Sequence, residues 1–130
     1  MTRFDADTAD ERIDLVADLI AAHRERESAF CTVVAEPDSD EAAAPWVQFD
    51  ARESLLNLDC TAEEVARLER FVTEVGGLTI AERTSPEDVD GTNVRLRARV
   101  DDRRIAQLVE RCFREVYDRP ASYHLWATEC

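Results

Sequence analysis

Lysine is absent from this sequence: all 16 of its basic residues are arginine, and they face 29 aspartates and glutamates. The formal net charge of −13 argues against a general DNA- or RNA-binding protein, because such proteins present a basic face to phosphates. Halophilic proteins carry many surface charges, which keep them soluble. The acidity and the preference for arginine therefore indicate a halophile with a GC-rich genome; the alternative is an ordinary acidic domain with a codon-biased composition.

Targeting and membrane signals are also missing. No apolar run reaches the ~18 residues that a membrane-spanning helix needs, and the first 11 residues lack the basic and apolar blocks of a signal peptide. We therefore expect a cytoplasmic protein with no membrane partner. No Cys-x-x-Cys pair occurs, so the cysteines are expected to be free thiols in a reducing compartment; they are Cys31, Cys60, Cys112 and Cys130.

Enzyme signatures are absent as well. The sequence has no glycine-rich phosphate loop, no Gly-x-Ser-x-Gly elbow and no His-Glu-x-x-His helix. Its two histidines, His23 and His124, are far apart, and the acidic residues are too numerous to single out a catalytic pair. We predict no catalytic residue and no cofactor.

The clearest structural signal is the stretch from Asn93 to Val100, in which small or branched apolar residues alternate with Arg95, Arg97 and Arg99. Side chains on a strand point to opposite faces with a period of two. This segment therefore predicts a strand with one apolar face and one face of three guanidinium groups.

The remaining elements follow from periodicity and capping residues. Thr8 and Glu11, and again Thr61 and Glu64, have the spacing of a capping box at a helix start, and Asp101 is expected to cap a third helix. We predict helices from Thr8 to about Glu27, from Thr61 to the glycines at 76 and 77, and from Asp101 to about Asp118. We predict strands at 30–35, 46–50, 55–59, 78–84, 93–100 and 122–128, and an exposed acidic loop at 36–45.

The order α-β-β-β-α-β-β-α-β predicts a single α+β domain over residues 1–130, an antiparallel sheet with helices packed on it. From about residue 55 the order is that of a ferredoxin-like split βαβ core. The first eight elements also resemble the order of secretion-chaperone-like domains. The sequence does not choose between these two strand orders, and a fold by itself does not fix a function.

Five stretches resemble a family of small haloarchaeal proteins with no assigned function. They are residues 23–30 (His-Arg-Glu-Arg-Glu-Ser-Ala-Phe), 45–49 (Pro-Trp-Val-Gln-Phe), 57–61 (Asn-Leu-Asp-Cys-Thr), 93–95 (Asn-Val-Arg) and 112–117 (Cys-Phe-Arg-Glu-Val-Tyr). The resemblance covers most of the chain and supports the halophile interpretation. It implies no activity.

The arginine face is the candidate ligand site. Thr79, Ala81 and Arg83 of the preceding strand, and His124 and Trp126 of the last, are expected on the same face as Arg95, Arg97 and Arg99. Arginine beside an aromatic ring can hold an anion by paired hydrogen bonds and stacking. The alternative is that these arginines pair with acidic neighbours or lie under a helix or a second subunit.

Two weaker candidates concern cysteine. Cys60 precedes a helix, where the partial positive charge can lower a thiol pKa, although its strand phase with Leu56 and Leu58 favours a buried, inert thiol. Cys60, Cys112, Cys130 and His124 could together bind zinc, but the short ligand pairs typical of zinc sites are missing. We therefore predict no metal site.

These observations, together with aromatic residues that we expect to be exposed, such as Trp46 and Trp126, favour a non-enzymatic module that binds a protein partner or a second copy of itself. The alternative is a small sensor that binds an anionic metabolite on the arginine face. No nucleic acid is expected as a partner.

Overall fold

The structure is a computed structural model that describes residues 5–26, 30–37, 44–85 and 91–128. Every helix and strand that the sequence predicts is present, and a two-residue strand at the N-terminus is added, too short to leave a periodic pattern. The elements are β1 (Asp5–Ala6), α1 (Ala9–Arg26), β2 (Phe30–Ala35), β3 (Trp46–Asp50), β4 (Leu55–Cys60), α2 (Ala62–Glu74), β5 (Leu78–Thr84), β6 (Thr92–Ala98), α3 (Asp102–Arg111), a π-helical turn (Cys112–Val116) and β7 (Leu125–Thr128). Of the predicted acidic loop, residues 38–43 lie outside the described residues.

The strands form one sheet in the order β1-β7-β2-β3-β4-β6-β5, with every neighbouring pair antiparallel. The predicted α+β class is confirmed. Strand β6 lies between β4 and β5, as the split βαβ arrangement requires. The ferredoxin-like core is nevertheless interrupted, because the β2–β3 hairpin separates β4 from β7.

Helix starts follow the predicted capping chemistry. Thr61 and Glu64 form both halves of a capping box at the start of α2, and the Asp101 side chain accepts a hydrogen bond from the backbone N–H of Arg104. These bonds satisfy backbone donors that would otherwise lack partners at a helix start. The predicted caps at Thr61 and Asp101 are confirmed, and at the start of α1 the Thr8 hydroxyl accepts a hydrogen bond of 3.3 Å from the Glu11 backbone N–H, which is one half of the predicted Thr8–Glu11 capping box.

The hydrophobic core lies between the helices and one face of the sheet. Alternate residues of the strands are buried there, and α3 contributes an almost continuous apolar stripe. Fully buried members are Ile20, Ala35, Leu56, Leu58, Leu96, Ile105, Ala106, Leu108, Cys112, Phe113 and Val116. No helix in the described part of the chain is long and apolar enough to cross a membrane.

A buried arginine ties the two ends of the chain together. Arg12 of α1 has no solvent exposure, and its guanidinium donates two hydrogen bonds of 2.7 and 2.8 Å to the Glu110 carboxylate of α3. It also donates to the carbonyl oxygens of Tyr123 and Ala121 and lies 3.9 Å from the centre of the Tyr123 ring. The guanidinium charge is therefore compensated on several sides, as a buried charge must be.

Tyr123 completes this arrangement. Its hydroxyl donates to Glu110 at 3.2 Å, and burial, together with the negative charge of Glu110, raises the pKa of the Tyr123 phenol. Since Tyr123 stays protonated, it acts as a donor to the carboxylate at all ordinary pH values. The network fixes α1, α3 and the segment that enters β7 in one geometry.

We expect Arg12→Met to lower the free energy of unfolding by about 3–5 kcal/mol, because it leaves the Glu110 carboxylate buried without its partner. Urea unfolding followed by circular dichroism measures this. Arg103→Met is the matched control: Arg103 pairs with Asp14 and joins the same two helices, but both side chains are 60% exposed, so its loss is expected to cost at most about 1 kcal/mol. Equal losses of unfolding free energy in the two variants would contradict the conclusion that burial makes the Arg12–Glu110 pair more important than the exposed Arg103–Asp14 pair.

Candidate interaction surface

All three helices lie on one side of the sheet, and the other side carries the alternate strand residues. Directly opposed residues of antiparallel strands point to the same side, so the register defines this surface, which we call the open face. Its members are Asp5, Phe30, Thr32, Val34, Trp46, Gln48, Asp50, Leu55, Asn57, Asp59, Thr79, Glu82, Thr84, Asn93, Arg95, Arg97, Trp126 and Thr128. Leu55 is buried yet stands outside the core cluster.

Amide side chains cross the middle of the open face. Gln48 donates to the Thr32 hydroxyl at 3.3 Å and accepts from the Asn57 amide at 3.4 Å. Asn93 donates to the Asn57 carbonyl oxygen at 2.7 Å and to Asp59 at 2.9 Å. The polar groups of four neighbouring strands thus bond to one another, and no helix or strand among the residues that the structure describes covers the centre of the face.

An aromatic cluster occupies the end of the face formed by β7, β2 and β3. Val34 pairs in register with Trp126 on one side and Trp46 on the other. The His124 ring stacks on Trp126 with centroids 4.3 Å apart and planes 10° apart, and its Nε2 lies 2.9 Å from an Asp5 oxygen. Trp126 is 41% exposed, although His124 holds one face of its indole.

The arginines of β6 lie at the other end of the face. Arg95 is exposed, and its guanidinium is 3.7 Å from a carboxylate oxygen of Glu82. Arg97 is half-buried between Leu55 and Thr79 on the flanking strands. Arg99 is exposed but follows the end of the strand, where its backbone N–H bonds to the carbonyl of Gly77.

The predicted position of Arg83 is wrong. The register between β5 and β6 shifts after Ile80, so that Ala81 is extra and Glu82 faces Arg95. A bulge of this kind turns the residues that follow it to the opposite side. Arg83 therefore lies on the helix side, where it pairs with Glu69 of α2 at 2.9 Å, and Glu82 takes the place that Arg83 was expected to fill.

His124 and Trp126 share the side of the arginines but not their neighbourhood. Three strands, β2, β3 and β4, separate β7 from β6. At about 4.8 Å per strand, the separation is about 19 Å. The structure thus divides the predicted arginine-aromatic site into two ends of one surface.

The edges of the sheet are poor places for another chain to add a strand. The edge strand β5 carries the bulge and the charged Glu82 and Arg83, and the other edge is the two-residue β1. Bulges, charges and short strands are the features by which proteins protect sheet edges. The described edges of the sheet are therefore unsuited to strand addition.

Cys60 does not have the properties of a reactive thiol. It is 3% exposed, and burial raises its pKa to about 11. The Tyr117 hydroxyl lies 3.9 Å from its sulfur and donates to the Asp59 carbonyl at 2.7 Å. The cost of burying a charged thiolate at this position outweighs the stabilisation that the helix N-terminus gives to a negative charge, so the thiolate is disfavoured.

The zinc ligands considered from the sequence are not assembled. Cys112 is fully buried, His124 lies on the other side of the sheet, and Cys130 lies outside the described residues. Among residues 5–26, 30–37, 44–85 and 91–128, no three His, Cys, Asp or Glu side chains are grouped to hold a metal ion.

A cavity of about 520 Å³ lies near the start of α3, lined by Val100, Asp101, Arg103, Arg104 and Gln107.

Comparison with known proteins gives a family and nothing more specific. The model of a family of unknown function, DUF7975, matches residues 1–130. The chain belongs to this family. No curated protein and no solved structure matches the DUF7975 chain. Family membership therefore supplies no activity, and the open face has to be judged on its own chemistry.

We expect the Cys60 thiol to react with Ellman's reagent at pH 8 far more slowly than a model thiol, because its raised pKa and burial keep it protonated and inaccessible. The measurement uses a Cys130→Ser background, in which the described cysteines, Cys31, Cys60 and Cys112, are all buried. A fast phase that Cys60→Ser removes would contradict the expectation, and labelling after urea unfolding serves as the positive control.

Proposed function

We propose that the protein is a non-enzymatic protein-interaction module and that the open face is its binding surface. The observation that carries this proposal is the cluster of Trp46, Val34 and Trp126 on the side of the sheet that no described helix covers. Large aromatic side chains are the residues that most often contribute strongly to protein interfaces. The amide network beside the cluster supplies a polar rim that is already ordered before a partner binds.

The charge of the open face also supports a protein partner. Four acidic residues, Asp5, Asp50, Asp59 and Glu82, lie on the open face with Arg95 and Arg97, a formal difference of two negative charges, while the whole chain carries −13. The open face thus has a small share of the net charge, and the side chains at its centre, Thr32, Gln48 and Asn57, are uncharged. Depletion of charge at the centre of a patch is the compositional mark of an interface.

The alternative, a sensor for an anionic metabolite, is less well supported by the geometry. Arg83 lies on the other side of the sheet, Arg95 has Glu82 as a neighbour, and the stacking aromatic residue Trp126 is about 19 Å from the arginine strand. An anion would therefore have to bind to Arg97 and Arg95 without a ring to cover it.

To test the interaction surface, the tagged chain is expressed in its organism of origin and its co-purifying proteins are identified by mass spectrometry. We expect Trp46→Glu with Trp126→Glu to remove a specific partner, because two charges replace the apolar cluster. The control is Ala21→Glu with Ala66→Glu, which adds the same charge at exposed positions of α1 and α2. A partner set, untagged copies of this chain included, that is unchanged by the tryptophan substitutions in the folded variant would overturn the proposal.

We further propose that the module works in a halophile's cytoplasm, a setting that fits the net charge of −13 and the buried thiols of Cys60 and Cys112. Raising salt from 0.1 to 1 M shortens the Debye length from about 10 to about 3 Å, which screens repulsion among surface carboxylates. We expect the midpoint of urea unfolding to rise between 0.1 and 2 M KCl. A midpoint that falls or stays constant would contradict the halophilic assignment.

A further inference from the structure

We propose that the partner of the open face is a second copy of this chain, bound face to face about a two-fold axis that passes close to Thr32. The inference rests on the proposed role of the open face as an interaction surface and names its occupant. It rests on an exposed aromatic side chain, which we call the knob, and on a gap between two tryptophans, which we call the slot. They lie near opposite ends of the same strand, β2.

The knob is Phe30. Its side chain points to the open face and is 48% exposed, and together with Trp126 it forms the pair of large hydrophobic residues exposed in the described part of the chain. Opposite it in the register is the charged Asp50, so the ring has no aromatic neighbour on β3. A partner that covers this ring would gain free energy by removing its apolar surface from water.

The slot is the position of Val34 between Trp46 and Trp126. The two tryptophans stand on β3 and β7, two strand spacings or about 9.6 Å apart. This width admits one aromatic ring between two indoles above the small Val34 side chain. The stacked His124 ring holds the Trp126 wall in place.

The knob and the slot are related by symmetry. Phe30 and Val34 each stand two residues from Thr32, or about 6.6 Å along the strand in opposite directions. A two-fold axis that crosses β2 at Thr32 brings Phe30 of one copy over Val34 of the other, and the reciprocal contact forms at the same time. Such self-complementarity is the requirement for an isologous dimer.

The polar residues at the axis are compatible with this contact. Thr32 and Gln48 would meet their own counterparts, and hydroxyl and amide groups both donate and accept hydrogen bonds. Facing sheets pack about 10 Å apart and rotated by about 30°. Arg95 lies in the same row as Thr32, three strands or about 14 Å away, so this rotation separates the two Arg95 positions by about 7 Å.

The area and the charge also favour a second copy. The strands are two to seven residues long, and at about 4.8 Å of spacing and about 3.3 Å of rise per residue the sheet covers roughly 600 Å² in projection. Side-chain relief increases the accessible area towards the ~800 Å² per partner of a standard interface. The open faces, which have a small share of the net charge, would meet, and the strongly acidic helix sides would point away from each other.

The first test is light scattering behind a sizing column over a concentration series in 1 M KCl, where repulsion between two acidic copies is screened. We expect the mass of a dimer, and we expect Phe30→Glu to weaken dimerisation at least 100-fold. The matched control, Ala66→Glu, adds the same charge at an exposed position of α2 and is expected to leave the dimer intact.

The second test locates the axis. In a Cys130→Ser background, we expect Thr32→Cys to be cross-linked between copies by a bismaleimide that spans about 10 Å, because the two positions face each other across the packed sheets. Thr79→Cys, exposed on the far strand β5, is the control and is expected to remain uncross-linked.

A monomer at every concentration, a dimer indifferent to Phe30→Glu, or equal cross-linking at positions 32 and 79 would each overturn the second-copy inference. If the tryptophan substitutions still removed a different protein in the capture experiment, the interaction module itself would stand. If no dimer formed through the open face and the tryptophan substitutions also removed no captured protein, both the interaction module and the second-copy inference would be overturned.

Discussion

The open face depends on a contact that lies on the opposite side of the sheet, the ion pair between Arg12 and Glu110. Besides Glu110, the Arg12 guanidinium holds the carbonyl oxygens of Ala121 and Tyr123, which immediately precede β7. That strand carries Trp126, and His124 lies at its entrance. The aromatic end of the surface is therefore positioned by a charge buried in the core, and a buried pair of this kind contributes more to a unique geometry than to net stability.

The sequence predicts what local patterning determines. The alternation around Arg95 and Arg97 gives β6, and the Thr61–Glu64 spacing gives the start of α2, because both signals depend on neighbours within a few residues. Arg12 could not be found in this way: a single arginine in an amphipathic helix has the same local pattern whether it faces solvent or the core. Its partner Glu110 is 98 positions away, and only the packing of α1 on α3 identifies it.

The errors in the predicted ligand site also arise because local sequence patterns do not determine the register and the order of strands. A one-residue bulge after Ile80 reverses the side on which Arg83 lies, and nothing in the β5 sequence marks it, since no glycine is present there. The distance between Trp126 and Arg97 depends on the order of strands, and the β2–β3 hairpin stands between them. The side of the sheet to which each residue of a strand points could be predicted from alternation along that strand. The strands that lie next to one another in a seven-stranded sheet could not.

The open face combines two properties that usually exclude each other in an exposed sheet. Its centre is stable in water because Gln48, Asn57 and Asn93 satisfy one another's hydrogen-bonding groups, so the sheet needs no cover in order to fold. Its end retains exposed rings, which gain free energy when a partner removes them from water. The edges on β1 and β5 are protected against strand addition. A surface that is stable alone, closed at its edges and apolar at one end favours reversible association over permanent assembly, and this is the behaviour that an interaction module requires.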